Sequence, residues 1–453
     1  MKVLLILPNG RIHLIRCGSF RKSMREAPLT MPLLAALAPP ELEIEFELID
    51  ESIDNVPDKT GANLVAISAI TGTATRAYEL AEHFRKQGIP VVLGGVHVSL
   101  LPDEAQRHAD SIVIGTAENT WPQLLRDFAE GRLKKRYTES QKEQPSELIL
   151  PPPRNDLLRR SGYMVADTVM ATRGCPHVCD FCTIPALGVG YVKRPIADVI
   201  RDIKAAPSRY IAINDVSLVD DVEYAFELFR AMVPLKKRWG GLATTKLVES
   251  PQLVEVMAES GCNYLLFGFE SFAPNALGEI HKSFNHQDKY RELMELLHEH
   301  NISVQGCFIF GFDHDDKTIF QSTVEQINEL QIDIPRFSIL TPYPGTGLYR
   351  TLSAENRIIS YKWEDYDTMH VVFQPELMTP GELYAGFKWA YRETFKMSHV
   401  IRRTMGWKFS SLINLLGNMN YRKFSRRLEN EPFYACPHTN SGGSLRSEIY
   451  QEK

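Results

Sequence analysis

The sequence predicts an α/β chain in three parts: an amino-terminal doubly wound parallel sheet, a partial (β/α)6 barrel, and a helical carboxyl-terminal region. Three observations carry this. Short apolar runs alternate with helix-period segments over about the first 135 residues, the alternation restarts near residue 164 after a polar, proline-rich stretch, and from about 355 only helical patterns remain. A length of 453 residues carries a prior of about three domains. The expected divisions are 1–137, a linker at 138–163, 164–352 and 353–453.

The first part opens on "KVLLIL" (2–7), read as a buried strand. It is too short an apolar run, with no small-residue cleavage site after it, to be a secretory leader. A helix opening follows at 28–39, then strands at 43–50 and 63–69, a helix at 73–88, strands at 90–95 and 111–115, and a helix at 119–131. In parallel sheets of this kind ligands bind at the carboxyl ends of the strands. Polar and glycine residues gather at those ends: Asn9, Ser68, Thr71, Thr73, Gly94, Gly95, His97, Gly115 and Glu118. Residues 136–165 read as a linker running over the surface.

The second series has strands at 164–174, 210–215, 240–245, 264–271, 303–311 and 336–345, with helices at 196–205, 221–233, 251–260, 286–300 and 316–331. Six such units with right-handed crossovers fit a partial barrel, where reacting groups lie at the strand ends. Beyond it, 379–407 reads as one long helix with a proline near its start. The stretch 400–427 carries Arg402, Arg403, Lys408, Arg422, Lys423, Arg426 and Arg427 and no acidic residue. A solvated face is the plain reading of that stretch, and contact with an anionic membrane or a lipid-like substrate the sharper one.

Charge and cysteine usage narrow the class. With 51 basic and 56 acidic residues the net charge is −5, which makes no overall claim on nucleic acid or membrane. No run of about 18 apolar residues suits a membrane span. The seven cysteines are odd in number and unevenly spaced, which argues against a secreted disulfide framework and for a cytoplasmic protein. Cys262 and Cys307 read as buried thiols, Cys17 as a loop thiol, and Cys436 with His438 as an unliganded pair in the tail.

The remaining cysteines stand together in "RGCPHVCDFC" (173–182), just past the first barrel strand. Cys175, Cys179 and Cys182 put three thiolates on one loop, and thiolates suit zinc and iron–sulfur clusters. Structural zinc needs a fourth ligand, and no second Cys-x-x-Cys pair exists. His177 lies too close along the loop to Cys175 to be well placed as that ligand.

The text "TRGCPHVCDFCTIP" resembles the radical S-adenosylmethionine (SAM) enzymes. The resemblance implies that the three cysteines hold three irons of a [4Fe-4S] cluster and that SAM binds the fourth. An electron, from a donor such as a flavodoxin or ferredoxin, then splits SAM to a 5′-deoxyadenosyl radical. It implies a TIM-type barrel in which "NDVS" (214–217) offers Asn214 and Asp215 to SAM, although the family's Gly-Gly-Glu is absent there. By the same resemblance "GFES" (268–271) aims Glu270 at SAM, "GCFIFGF" (306–312) lays the backbone of Gly306 and Gly311 along adenine, and "TPYPGTGLY" (341–349) ends the sixth strand. Thr244, Thr245 and Lys246 are weaker candidates. Strand core plus a turn is the plain alternative for each segment taken alone.

The first part lacks the Gly-x-Gly-x-x-Gly phosphate fingerprint. Over about 60–130, "VAISAITGTATRAYELAEHF", "VVLGGVHVSLLPDEA" and "ADSIVIGTAENTW" resemble the Rossmann-like cobalamin-binding domain fused to one class of radical SAM enzymes. The resemblance implies cobalamin held by the strand-end residues named above, with Gly94 and Gly95 admitting the corrin or its nucleotide tail. Asp-x-His-x-x-Gly is absent, so His97 reads as a cap or amide contact and not as a cobalt ligand, and the lower face would be covered by residues such as those of loop 9–14. The whole then implies methyl transfer to an unactivated carbon of a small-molecule or lipid-like substrate. Cyclisation or rearrangement without methyl transfer, a non-catalytic cobalamin and cluster sensor, and a thiolating enzyme are the rivals. Neither the substrate nor a catalytic side chain is named by the sequence.

Overall fold

Six parallel strands form the first sheet: β1 (Lys2–Leu7), β2 (Glu45–Asp50), β3 (Leu64–Ser68), β4 (Val91–Gly94), β5 (Ser111–Ile114) and β6 (Arg136–Thr138), in the order β2-β1-β3-β4-β5-β6. The computed structural model describes residues 1–16, 23–139, 147–279, 282, 285–404 and 410–430. Cys17, Lys408, Cys436 and His438 lie outside the described residues. Strand alternation sends Leu4 and Ile6 to one face, with Ala77, Leu80 and Phe84, and Val3 and Leu5 to the other, with Met31, Trp121 and Leu124. Burial on both faces is what makes these strands near-continuous apolar runs. Strand order reverses between β1 and β3, and that switch point is where such sheets bind ligands.

The second sheet is β7 (Thr168–Val169), β8 (Tyr210–Ile213), β9 (Arg238–Ala243), β10 (Cys262–Glu270), β11 (Ser303–Phe310) and β12 (Ile334–Ile339), all parallel and in chain order. It is an open barrel whose two faces differ. Phe267, Phe308, Phe310 and Phe337 are buried under the helices, whereas Leu242, Leu266, Cys307, Ile309, Arg336 and Ser338, on the opposite strand face, keep part of their surface. A closed barrel fills its interior with side chains. This one keeps a lumen. Cys262 is buried as expected, but Cys307 is only partly so, because it belongs to the lumen face.

The expected strand at 164–174 is instead three short pieces. Tyr163–Val165 pairs with Ser23–Glu26, Thr168–Val169 joins the barrel, and Thr172–Arg173 forms an antiparallel ladder with Val192–Lys193. The linker is less superficial than its composition suggests: Leu148, Leu150 and Tyr163 are buried.

The expected helix at 379–407 is two, α1 (Pro380–Thr394) and α2 (Met397–Thr404). A Thr379–Glu382 capping box starts α1. Arg403 donates to Thr394 O at 2.9 Å and Arg422 to Phe395 O at 2.6 Å, so two later arginines take the carbonyls that a continuing helix would use. Those two arginines therefore point inward and leave the basic surface. Tyr391 of α1 donates to Phe337 O at 2.9 Å and accepts from Phe337 N at 3.1 Å, satisfying the barrel's edge strand. Helix α3 (Ser410–Asn430) lies against the same edge, with Asn414 on Asp333 Oδ1 and Asn418 on Asp333 O, both at 2.8 Å. No helix among the described residues is long and apolar enough to cross a membrane.

The carboxyl-terminal region also reaches back to the first sheet. Trp363 Nε1 donates to Glu104 at 2.8 Å, the Thr75 hydroxyl to Glu364 at 2.7 Å, and Arg11 pairs with Asp365 at 2.8 Å.

Candidate active site

The cysteine loop is held from three sides, and none of the three uses a thiol. Gly174 has φ +77, and a Cβ there would run into Gly190 O across the hairpin, so only glycine fits. His177 Nε2 lies 2.8 Å from Asp220 Oδ1, beyond the end of β8. Leu348 N–H donates to Asp180 O at 3.1 Å, which docks the 341–349 segment on the loop. Cys175, Cys179 and Cys182 remain partly exposed.

Burial pushes the Cys179 thiol up to about 11, partly opposed by Lys282, and burial raises Cys182 as well. The three thiols are within electrostatic reach of one another, of Lys282 and of Glu270. Three thiols on one loop are the donor set of an iron–sulfur cluster, so the residues fit that group.

Glu270 ends β10 in the left-handed region, φ +62, where the ladder to β11 slips register. Its carboxylate pairs with Lys282 Nζ, which also donates to Gly268 O at 2.9 Å. A Cβ at Gly268 would strike the Glu270 carboxylate, so glycine makes room for the pair. Lys282 gives no sequence signal, since its contact is made by a loop returning from outside the strand.

The structure separates Asn214 from Asp215. Asn214 is exposed at the end of β8. Asp215 is 1% exposed and turned inward, accepting from Ala171 N (2.9 Å), Thr172 N (2.7 Å) and the Thr172 hydroxyl (3.0 Å). It thereby fixes the backbone that enters the cysteine loop. Burial pushes its carboxyl up to about 7, against the pull of those three donors. Below about pH 4 it is protonated folded or unfolded. As pH rises towards 7 the unfolded chain releases a proton that the native one still holds, so stability falls. Relative to Asp215→Asn, the wild type is expected to lose up to a few kcal/mol across that window. Urea unfolding at pH 5 and pH 8 reads this directly, and parallel pH profiles for the two proteins would refute it.

A Cβ at Gly306 would crowd Ile332, Phe308 and Phe269, and one at Gly311, φ +108, would crowd Leu383 and Phe373. Packing explains both glycines without a ligand. Thr245 Oγ1 donates to Asn285 Oδ1 at 2.6 Å, and Thr244 lies 3.4 Å from Asp220.

In the first sheet, a cavity of about 170 Å³ opens at the strand ends by the switch point. Ser68, Gly94, Gly95 and Gly115 line it, with Met31, Leu34 and Trp121. Its lining is mainly apolar, and its size matches cavities of about 150 Å³ that accept an aromatic ring. It therefore fits the flat base of a nucleotide tail. The other strand-end residues are engaged elsewhere. Asn9 N–H donates to Glu51 at 2.8 Å, and its Oδ1 accepts from Gly10 N at 2.9 Å. Thr73 caps Ile70 at both its N–H (3.2 Å) and its carbonyl (3.1 Å). His97 is fully enclosed: Nδ1 lies 3.3 Å from the Thr71 hydroxyl, Nε2 3.1 Å from the Tyr78 hydroxyl and 3.3 Å from Glu104, and Trp363 packs edge-on to the ring. Glu118 pairs with Arg173, two residues before Cys175.

Thus the turn after β5 grips the start of the cysteine loop. A second junction lies beside it, where Gly345 sits against Leu100 and Ala186. A thiol-bearing loop at the mouth of an unfilled barrel, clamped to a base-sized slot in a doubly wound sheet, defines a radical SAM enzyme with a corrinoid-binding unit. Residues 34–125 match the B12 binding domain and residues 169–327 the Radical SAM superfamily. The chain is 32% identical over 419 residues to bacteriochlorophyllide d C-12(1)-methyltransferase of Chlorobaculum tepidum, covering 90% of each. It is 30% identical over 414 residues to the C-8(2)-methyltransferase of that organism, covering 87% of this chain and 91% of the relative. The fold is that of the radical SAM methyltransferase TsrM from Kitasatospora setae, solved with cobalamin and a [4Fe-4S] cluster: TM-score 0.66, 16% identity, 94% of this chain and 99% of that one. The chain belongs to the cobalamin-dependent radical SAM methyltransferases.

Proposed function

We propose that this enzyme methylates an unactivated carbon of a tetrapyrrole of the bacteriochlorophyllide kind. The observation that carries the methylation is the near full-length similarity to methyltransferases together with the two matched domains, and the Glu118–Arg173 ion pair ties the turn after β5 to the start of the cysteine loop. The tetrapyrrole assignment is supported by near full-length similarity to the two bacteriochlorophyllide methyltransferases. When bound, cluster, SAM and corrinoid supply the radical and methyl-transfer chemistry. The chain's share is positional. Cys175, Cys179 and Cys182 would hold iron, Asn214 and the Glu270–Lys282 pair would contact SAM, and the barrel wall would shield the acceptor from water. A one-electron donor of the flavodoxin or ferredoxin type would serve it. The exposed Ile401, Leu415, Leu416 and Met419, near Lys423, Arg426 and Arg427, support a peripheral membrane contact through the carboxyl-terminal helices.

Reduced, reconstituted protein given methyl-labelled SAM and a bacteriochlorophyllide acceptor is expected to yield a labelled product and 5′-deoxyadenosine, both read by mass spectrometry. Deoxyadenosine formed together with an altered but unlabelled acceptor would replace methylation by a cyclisation or rearrangement.

A further inference from the structure

The lumen of the open barrel contains a cation that the described residues do not neutralise. Register places Arg336 of β12 beside Cys307 of β11, and Cys307 beside Gly268 of β10, on the inward face. The guanidinium Nε is enclosed and has no hydrogen-bond partner. Its main electrostatic neighbours are Tyr421, Cys307, Tyr391 and Tyr264, Tyr343 lies within its reach as well, and no ion pair joins it to a carboxylate among the described residues. Tyr421, Tyr391 and Tyr264 are already committed. Tyr391 binds both backbone groups of Phe337, the Tyr264 hydroxyl donates to Gln305, and the Gln305 amide lies 3.4 Å from the Tyr421 hydroxyl. Burial holds Tyr264 and Tyr391 well above the ordinary phenol range, so both are neutral near pH 7.

Arg336 keeps part of its surface towards the lumen while its Nε is enclosed, and a charge so placed without a counterion favours an anion that enters beside it. A guanidinium also presents a planar fork that matches a carboxylate with two parallel hydrogen bonds. Arg336 stands two strands along the wall from Glu270, a distance of about 10 Å, and one residue below its level. A molecule held there by one end therefore extends towards the cysteine loop.

We infer that Arg336 receives a carboxylate of the substrate and so sets which end of that molecule faces the cysteine loop. The inference rests on the tetrapyrrole reading for its probe but not for its chemistry. SAM also carries a carboxylate, and the test separates the two sources. Holoenzyme reconstituted with cluster and cobalamin is titrated by fluorescence with a chlorophyllide bearing a free propionate, and with its methyl ester. The free acid is expected to bind at least about tenfold more tightly. In Arg336→Gln the acid should fall to the ester's affinity, while SAM binding by equilibrium dialysis stays within about twofold of wild type. Equal binding of acid and ester by the wild-type protein, which needs no variant, overturns the inference, as does a preference for the acid retained in the variant. A fall in SAM affinity in the variant assigns the carboxylate to SAM and overturns it too. If neither macrocycle binds, the tetrapyrrole reading fails and phenylglyoxal labelling of Arg336 decides the rest: slowing by benzoate but not by benzamide upholds an anion site, and equal labelling removes it.

Discussion

Alanine at any one of Cys175, Cys179 or Cys182 is expected to strip the protein of iron and reduce SAM cleavage to background. The three thiols are partly exposed on a loop whose backbone is fixed by Gly174, His177 and Leu348, so removing a thiol leaves the loop in place but short of a ligand. None of the other described residues supplies a substitute. Cys262 is buried at the start of β10, and Cys307 lies in the lumen wall. Iron and sulfide content, with 5′-deoxyadenosine formation, measure the loss. Cys262→Ala is the matched control and should keep its iron. A loop variant with full iron and full cleavage would move the cluster elsewhere.

The second large effect is expected at Gly95. Its backbone, φ +97 and ψ −175, lies in a region that is essentially glycine-only. A Cβ there would stand 2.7 Å from Ala69 O and 2.8 Å from both Ala69 N and the Ser68 hydroxyl. Ala69 O also accepts from His97 N–H at 3.1 Å, so the end of β3 cannot retreat without breaking that bond. Gly95→Ala should therefore cost about 1–3 kcal/mol of stability and deform the slot beside it. The corrinoid absorption of the purified protein should largely disappear while its iron content is retained. Gly131→Ala is the discriminating partner: it too has a positive φ, +69, but nothing lies within 4 Å of its Cβ and it does not line the slot, so it should load cobalamin normally. Equal corrinoid content in the two variants would refute the argument.

Much of this was legible in the sequence, because short apolar runs and a cysteine spacing are local signals. Both sheets and the loop that bears the thiols are readable in that way. Asp215 shows where local reading stopped short. "NDVS" offers two polar residues at a strand end, yet Asp215 continues the alternation of Ile211 and Ile213 just beyond β8, and the two isoleucines are 0% and 1% exposed. Alternation alone therefore sends Asp215 inward and Asn214 outward. The pairing of Glu118 with Arg173, and the parts played by Lys282 and Arg336, were beyond such reading. Glu118 finds Arg173 55 residues later and Lys282 folds back over Glu270, while the character of Arg336 comes from what surrounds it in three dimensions. The break after Thr394 has no proline or glycine to announce it, because its cause is a pair of arginines beyond the helix.

The bonds that run from Trp363, Glu364 and Asp365 back to Glu104, Thr75 and Arg11 bear on engineering. The corrinoid-binding unit is not an exchangeable cassette. Cut at residue 137, its proposed boundary, it would lose the indole that packs on His97 and hydrogen-bonds Glu104, leaving both open to solvent. Chimaeras that swap this unit between relatives should therefore carry the 360–367 segment of the same parent.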